Sequence, residues 1–256
     1  CIVLSCARSD CVRLFCAGRL SRLYPAFVVA AVGLFIFLMV APVPSAPAFN
    51  YHEQPVTLVD LGLNLMLFGE AGEWVNGSFW SIAVEVRFYV LLALLAVVFG
   101  SGEKLARLFS ELSVALASLW LAIDLLMPST GGASPANLLR VFGLAPYLPF
   151  FAFGILLFMR RSKTMATDMG LILNGAAMVL VLAVDSYSSS YLRQTGAIDA
   201  LVTVGVFGML MWAFLRFADR KPLPPLPVIG PLLSYAGLLS YSWYLLHETL
   251  GLTLMS

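Results

Sequence analysis

"NGSFWSIAVEVRFY", residues 76–89, opens an apolar run that continues to residue 99, and it places Glu85 and Arg87 inside that run. As a helix the run is long enough to cross ~30 Å of hydrocarbon, which takes about 17–25 mostly apolar residues. An ionised side chain in mid-membrane costs at least ~2.5–3.5 kcal/mol, so a carboxylate and a guanidinium there need partners or water. Composition decides whether the run is a span. The chain has 256 residues, 61% hydrophobic and only 11% charged, with a mean hydropathy of +0.92. A soluble domain of ordinary composition has about a quarter of its residues charged. The expected fold class is therefore all-α: a polytopic transmembrane helical bundle in a lipid bilayer. The net charge of +1 offers no electrostatic footprint for nucleic acid, and no nucleic-acid partner is expected.

Seven stretches are read as spans, at about 23–41, 79–99, 112–127, 141–159, 169–185, 198–215 and 232–254, of which the third and fifth are short and rest on their neighbours for support. A further stretch, "VTLVDLGLNLMLF" (56–68), has thirteen residues and would cover only about 20 Å as a helix, so it reads as a short re-entrant or interfacial segment. The Lys and Arg positions test this count, because short cytoplasmic loops retain positive charge. With the N-terminus cytoplasmic, twelve of the fifteen basic residues fall on the inner side: Arg8, Arg13, Arg19 and Arg22, Lys104 and Arg107, Arg160, Arg161 and Lys163, and Arg216, Arg220 and Lys221. Arg140 and Arg193 fall outside, and Arg87 lies within a span. A full crossing by 56–68 would swap every later loop and destroy the segregation. The outer loops "APVPSAPAFNYHEQP" (41–55) and "PSTGGASPAN" (128–137) are rich in Pro, Gly and Ser and carry no basic residue. No internal repeat is visible, so the inverted-repeat signature of many secondary transporters is missing.

The four cysteines, Cys1, Cys6, Cys11 and Cys16, step by five. Such steps turn about 140° each on a helix, so the thiols share no face, and no metal-ligand spacing appears. No metal site is expected. His52 lies in an outer loop and reads as solvated; Asp124 and Asp185 sit near outer helix ends, where an acid is easily hydrated.

Within the spans, Ser81, Glu85 and Tyr89 recur at i, i+4 and i+8 and make one polar seam. Glu85 and Arg87, two residues apart, face nearly opposite ways and cannot pair with each other. The plain alternative for Glu85 is a packing hydrogen bond to a neighbouring helix, and for Arg87 a side chain that snorkels to the outer headgroups. "LLSYSWYLLHETL" (238–250) carries a second seam: Ser240, Tyr244 and His247 share a face, with Tyr241 and Glu248 nearby. Histidine exchanges a proton near neutral pH, and tyrosine donates a hydrogen bond to developing negative charge. Glu85 and His247 each lie about 10 Å inside the outer end of their helices, so both seams can meet at one depth. At the inner mouth of the first span, "GRLSRLYP" (18–25) puts Arg19 and Arg22 one turn apart, a spacing that suits a phosphate or pyrophosphate group as well as a simple positive-inside anchor.

Three of these stretches carry a resemblance to the acyltransferase family 3 membrane proteins, which move an acyl group, often acetyl, from acyl-CoA to a hydroxyl. "RLSRLYPAF" resembles the family's Arg-x-x-Arg step into a span, "FWSIAVEVRFYVLLAL" its Trp-Ser-Leu-x-x-Glu-x-x-Phe-Tyr signature, and "LSYSWYLLHETL" its closing Ser-Tyr-x-x-Tyr-Leu-x-His helix. "FFAFGILLF" (150–158) is a softer match. The resemblance implies that Arg19 and Arg22 help hold the CoA donor, that Trp80, Ser81, Glu85 and Tyr89 belong to the signature site, and that Tyr241, Tyr244 and His247 come from the closing helix. Glu85, Tyr89, Tyr244 and His247 are the implied catalytic set; Arg19, Arg22, Trp80, Ser81 and Tyr241 the implied substrate-binding set. Acyl-CoA is a co-substrate, and no cofactor is implied. The acceptor would be a hydroxyl of a carbohydrate or other cell-surface molecule, and the location a cell inner or plasma membrane with the N-terminus cytoplasmic.

The chain departs from that family at its start. The family begins with two further spans, the first carrying an arginine and then a histidine regarded as the base, and neither is expected here; "CIVLSCARSDCVRLFCAG" also lacks the aromatic, Ser-Gly-containing helix that the resemblance implies just before the arginine pair. Residues 1–256 are thus expected to form a single acyltransferase-3-like transmembrane domain lacking those spans, and to show little or no activity alone, since a missing base costs factors of ~100–10,000. Two readings from other classes stand beside this one. A proton-coupled transporter or flippase would use Glu85 as a proton relay. A non-catalytic remnant would insert with the same topology and transfer nothing.

Overall fold

The computed structural model describes residues 11–40, 56–127, 134–161, 168–188, 196–218, 240–241 and 244–246. All regular elements among them are helical. In chain order they are α1 (Cys11–Val40), α2 (Leu58–Leu65), a 3₁₀ turn (Gly69–Ala71), α3 (Phe79–Phe99), α4 (Glu103–Leu126), α5 (Pro135–Val141), α6 (Leu148–Arg161), α7 (Asp168–Ser188) and α8 (Gly196–Ala218). Among the described residues, four helical stretches are long and apolar enough to cross a membrane: Leu14–Val40, Phe79–Phe99, Glu103–Leu126 and Asp168–Ser186; Leu148–Arg160 and Ala200–Trp212 are apolar but shorter. The apolar run that carries Glu85 and Arg87 is a helix from end to end. The expected last span lies outside the described residues, apart from Ser240, Tyr241 and 244–246, which are helical.

Two boundaries differ from expectation for local reasons. The stretch expected as one span at 141–159 is helical only from Leu148, where α6 starts, because α5 ends at Val141. Between them Leu144 has φ 53°, a Cβ on Gly143 would stand 2.8 Å from the Leu139 carbonyl oxygen, and Pro146 offers no N–H and disfavours helical geometry in Ala145. The helix expected from 112 starts at Glu103, because Gly100 and Gly102 (φ 82° and 83°) complete the turn from α3 in a conformation that costs side-chain-bearing residues energy.

The chain divides into two compact units, with the division falling inside α3. The first comprises residues 90–222 with 1–15. In it α4, α6 and α7 pack on one another and α8 packs on α7. Close approach comes from small residues: Ala117 and Ala177 are buried together, and a Cβ on Gly170 would stand 3.0 Å from a Leu156 methyl. Asn174, fully buried, donates to Ser110 Oγ at 2.8 Å and to the Gly170 carbonyl at 2.9 Å, and accepts from the Ser113 hydroxyl at 2.9 Å. Arg140 lies 5.3 Å above the Trp120 ring and pairs with Asp185. Arg140, one of the two basic residues expected on the outer side, thus has an acidic partner, and Asp185 is an ion-pair member.

The second unit comprises residues 16–89 and 223–256. Its core joins Phe27, Ala31 and Leu34 of α1, Val75, Phe79 and Ala83, and Leu245, with Phe27 and Phe79 edge to face at 5.0 Å. α2 has eight residues, about 12 Å of helix, too short to cross. Its register is set by polar residues that the hydrophobic pattern did not explain. Thr57 and Asp60 form a capping box at its start. Asp60 Oδ1 accepts from the Glu73 N–H at 3.0 Å. The fully buried Asn64 donates to the Asp60 and Glu73 carbonyls, both at 2.8 Å, and accepts from the Val75 N–H at 3.1 Å. Asp60 and Asn64, one turn apart, thereby hold residues 73–75 against α2.

A pH dependence follows. Hydrogen bonds from the Thr57 side chain first, then from the Glu73 and Thr57 backbones, hold the Asp60 carboxyl below its ordinary value of 3.8. A carboxyl depressed in the folded state contributes stability that is present above its unfolded pKa and is lost as pH falls through the lower folded value. Amide protection of residues 57–75, relative to the intrinsic exchange rate at each pH, should therefore be high at pH 7 and fall below about pH 4. In Asp60→Asn that acid step should disappear.

Candidate functional site

The second unit brings together residues that the sequence places far apart. On α3, the Tyr89 hydroxyl donates to the Glu85 carboxylate one turn away. From α1, the Arg19 guanidinium lies 5.6 Å from the centre of the Tyr89 ring, and Arg22 is within electrostatic reach of the same tyrosine. From the closing segment, the Tyr241 hydroxyl donates to the Leu23 carbonyl at 3.0 Å and lies within the field of Glu85. Tyr244 meets Ser81, hydroxyl to hydroxyl, at 2.7 Å. Seven of the nine predicted residues (Arg19, Arg22, Ser81, Glu85, Tyr89, Tyr241 and Tyr244) therefore belong to the contacts and electrostatic neighbourhood of one α1–α3–closing-segment arrangement. Trp80 is 44% exposed, on another side of α3 from Ser81. His247 lies outside the described residues, as do His52 and Glu248. Among the described residues no cluster of three His, Cys, Asp or Glu could hold a metal ion.

α1 starts at Cys11 rather than near residue 23, so Arg19 is two turns into the helix. Its guanidinium stands against the middle of α3, ten residues or about 15 Å from that helix's start at Phe79. The site thus combines a carboxylate, a phenol bound to it, a guanidinium over that phenol and two further tyrosines. Such a set can orient a hydroxyl, hold an anionic group and move a proton.

A family model described as an acyltransferase domain, that of acyltransferase family 3, matches residues 10–256. The chain belongs to acyltransferase family 3. No curated protein and no solved structure matches it. With its apolar helices, membership makes it an integral membrane protein of an acyltransferase family, and the match covers both units.

In this acyltransferase the structure also gives roles to residues that sequence reasoning passed over. Arg87 has protein partners. Its two terminal nitrogens donate to the two oxygens of Glu70 at 2.7 and 2.8 Å, and one of them also donates to the Leu67 carbonyl at 2.5 Å. Phe68 lies 5.4 Å from the guanidinium. Arg87 thus receives the end of the α2 segment, where Leu67 has φ 62° and the helix leaves carbonyls unused. Tyr24 of α1 donates to a second of them, Leu65 O, at 2.6 Å. Asn76, 1% exposed, accepts from the Ser78 N–H and hydroxyl, both at 3.1 Å, and donates to the Leu245 carbonyl at 2.8 Å. The one available signal for these residues was cost: a buried polar group in an apolar chain needs a partner. That signal names the residue and not the partner.

Proposed function

We propose that this membrane acyltransferase moves an acetyl or short acyl group from acyl-CoA to a hydroxyl of a carbohydrate or other cell-surface molecule. The observation that carries the reading is the meeting of Arg19 with the Glu85–Tyr89 pair inside a chain of this family. The acceptor hydroxyl loses its proton as its oxygen attacks the thioester carbon. The tetrahedral oxyanion collapses, the C–S bond breaks, and the CoA thiolate leaves and takes up a proton. Glu85, held at one oxygen by Tyr89, orients the acceptor hydroxyl with its other oxygen. Tyr244 and Tyr241 turn their hydroxyls toward developing charge when substrate replaces their present carbonyl and hydroxyl partners. His247, outside the described residues, keeps the place in the catalytic set that the family resemblance implies. Arg19 and Arg22 hold the donor's phosphates, and Trp80 and Ser81 contact substrate.

Seven spans with a cytoplasmic N-terminus, in a cell inner or plasma membrane, complete the proposal. The partition of twelve basic residues to one side supports that topology, and it lets the CoA donor approach from the cytosol.

Full-length protein in proteoliposomes should release CoA from acetyl-CoA when a membrane extract bearing carbohydrate acceptors is supplied, and radiolabelled acetyl should appear on the acceptor. Uptake driven by a proton gradient, with no response to acetyl-CoA, is the result that replaces this reading by a transporter. Arg19→Ala and Arg22→Ala should each raise KM for acetyl-CoA by about 10- to 100-fold, the loss expected for one charge-assisted contact, with a smaller change in kcat. An unchanged KM in both variants removes the arginine pair from donor binding.

A further inference from the structure

Asn76 connects two parts of the site that are 169 residues apart in sequence. Its amide nitrogen donates to the Leu245 carbonyl, and its amide oxygen accepts both donors of Ser78. The Ser78 carbonyl in turn accepts from Ser81 Oγ at 3.1 Å and from the Tyr244 hydroxyl at 3.2 Å, and those two hydroxyls meet each other. The result is a continuous hydrogen-bonded ring: Leu245 to Asn76, Asn76 to Ser78, Ser78 to Tyr244, and back through the chain to Leu245. Asn76 and Ser78 are buried, and so is the Leu245 side chain, which packs in the same core as Val75 and Phe79.

The chemistry of this ring separates anchoring from local capping. Asn76 Oδ1 serves only the start of α3, where an oxygen satisfies N–H groups that the helix leaves unpaired. Any side chain with a well-placed oxygen could do that. Asn76 Nδ2 serves the other partner, and an asparagine presents both kinds of group in one rigid plane. A helix can slide or rotate along an apolar face at little cost, because apolar contacts are not directional. A buried hydrogen bond to one named carbonyl fixes the register.

We infer that Asn76 is a positioning residue of the acyl-transfer site: it locks the closing segment in the register that sets Tyr241 and Tyr244 against the Glu85 seam. It touches no substrate and acts through Tyr244. This inference rests on the proposed acyl transfer, and its test is arranged so that the two can fail separately.

The experiment measures transfer of radiolabelled acetyl from acetyl-CoA to membrane carbohydrate by the full-length protein, with Glu85→Gln as the reference for the site itself. Asn76→Ala should lower kcat by about 100-fold, the effect of a misplacement near 1 Å, and leave KM for acetyl-CoA within about twofold, because the donor arginines lie on α1. Ser78→Ala, which keeps the bond from Asn76 to Leu245, should retain kcat within about threefold, as expected for the loss of one local hydrogen bond. Residues acting through one another are not additive, so Asn76→Ala combined with Tyr244→Phe should fall no more than about threefold below Tyr244→Phe alone. A purely structural role would multiply the two losses. Should Asn76→Ala fail to accumulate, Asn76→Asp keeps the shape and the oxygen acceptor for Ser78. Its carboxylate cannot donate to Leu245, so at pH 8 it should show the same fall in kcat with unchanged KM. Wild-type kcat in Asn76→Ala or Asn76→Asp, while Glu85→Gln abolishes transfer, overturns the inference and leaves the site standing. Full transfer in Glu85→Gln overturns the reading of the site as well.

Discussion

Glu85→Gln should lower acetyl transfer by about 100- to 10,000-fold, the range expected when a group handling the proton is removed. Glutamine keeps the size and one oxygen that the Tyr89 hydroxyl can still use, so the fold is retained and the loss reports on charge. The Tyr89 bond gives a second reading of the same site. Tyr89→Phe removes the donor but leaves the ring beneath Arg19, and a loss of about one hydrogen bond to a charged group, 10- to 100-fold, is expected. If Glu85→Gln transfers acetyl at the wild-type rate with a wild-type KM, the carboxylate is a packing residue and the proposed mechanism is wrong at its centre.

The second large effect concerns stability. Arg87 and Glu70 form a two-pronged ion pair with side-chain exposures of 17% and 26%, and Arg87 also serves the Leu67 carbonyl. Surface pairs contribute ~0–1 kcal/mol, whereas removing one member of a buried pair costs about 3–5 kcal/mol because the other charge is left without compensation. For this partly buried pair, Arg87→Ala should destabilise by about 2–3 kcal/mol, between those limits. Thermal unfolding in detergent measures the loss, and proteolysis of residues 57–75 should show that it begins in the α2 segment. Arg87→Met with Glu70→Gln removes both charges and should be less destabilised than Arg87→Ala alone. Equal destabilisation would mean that the isolated Glu70 charge is not the source of the cost. Activity should fall with the segment, since α2 is held to α1 by Tyr24 as well as to α3 by Arg87.

The opening stretch illustrates how far residue pattern reaches. Its apolar length and the composition of the whole chain require a membrane helix, and Phe79–Phe99 is the boundary found. The i, i+4, i+8 spacing of Ser81, Glu85 and Tyr89 requires them to share a face, and Tyr89 does bond Glu85. These are local consequences of 3.6 residues per turn and of the cost of charge in hydrocarbon. The two-helix break at Phe142–Tyr147 is local too: Gly143 and Pro146 were visible within an apolar run whose length argued for continuity, and backbone geometry prevailed over hydropathy.

Pairing across sequence was not legible in the same way. From the sequence Arg87 is an expensive cation, and nothing in its neighbourhood names Glu70, seventeen residues earlier on another element. Asn76 is a turn residue with a helix to cap, and nothing names the carbonyl of Leu245. Arg19 belongs to a basic run, and its place over Tyr89 depends on how far α1 extends and how it packs against α3. The sequence by itself determined the solvent, the helical class, the short α2 piece and which residues must be costly to bury. Only the tertiary structure decided what each costly residue meets, because hydrophobic burial acts without direction while hydrogen bonds and ion pairs require one partner at one distance, and that partner exists only once the helices are packed.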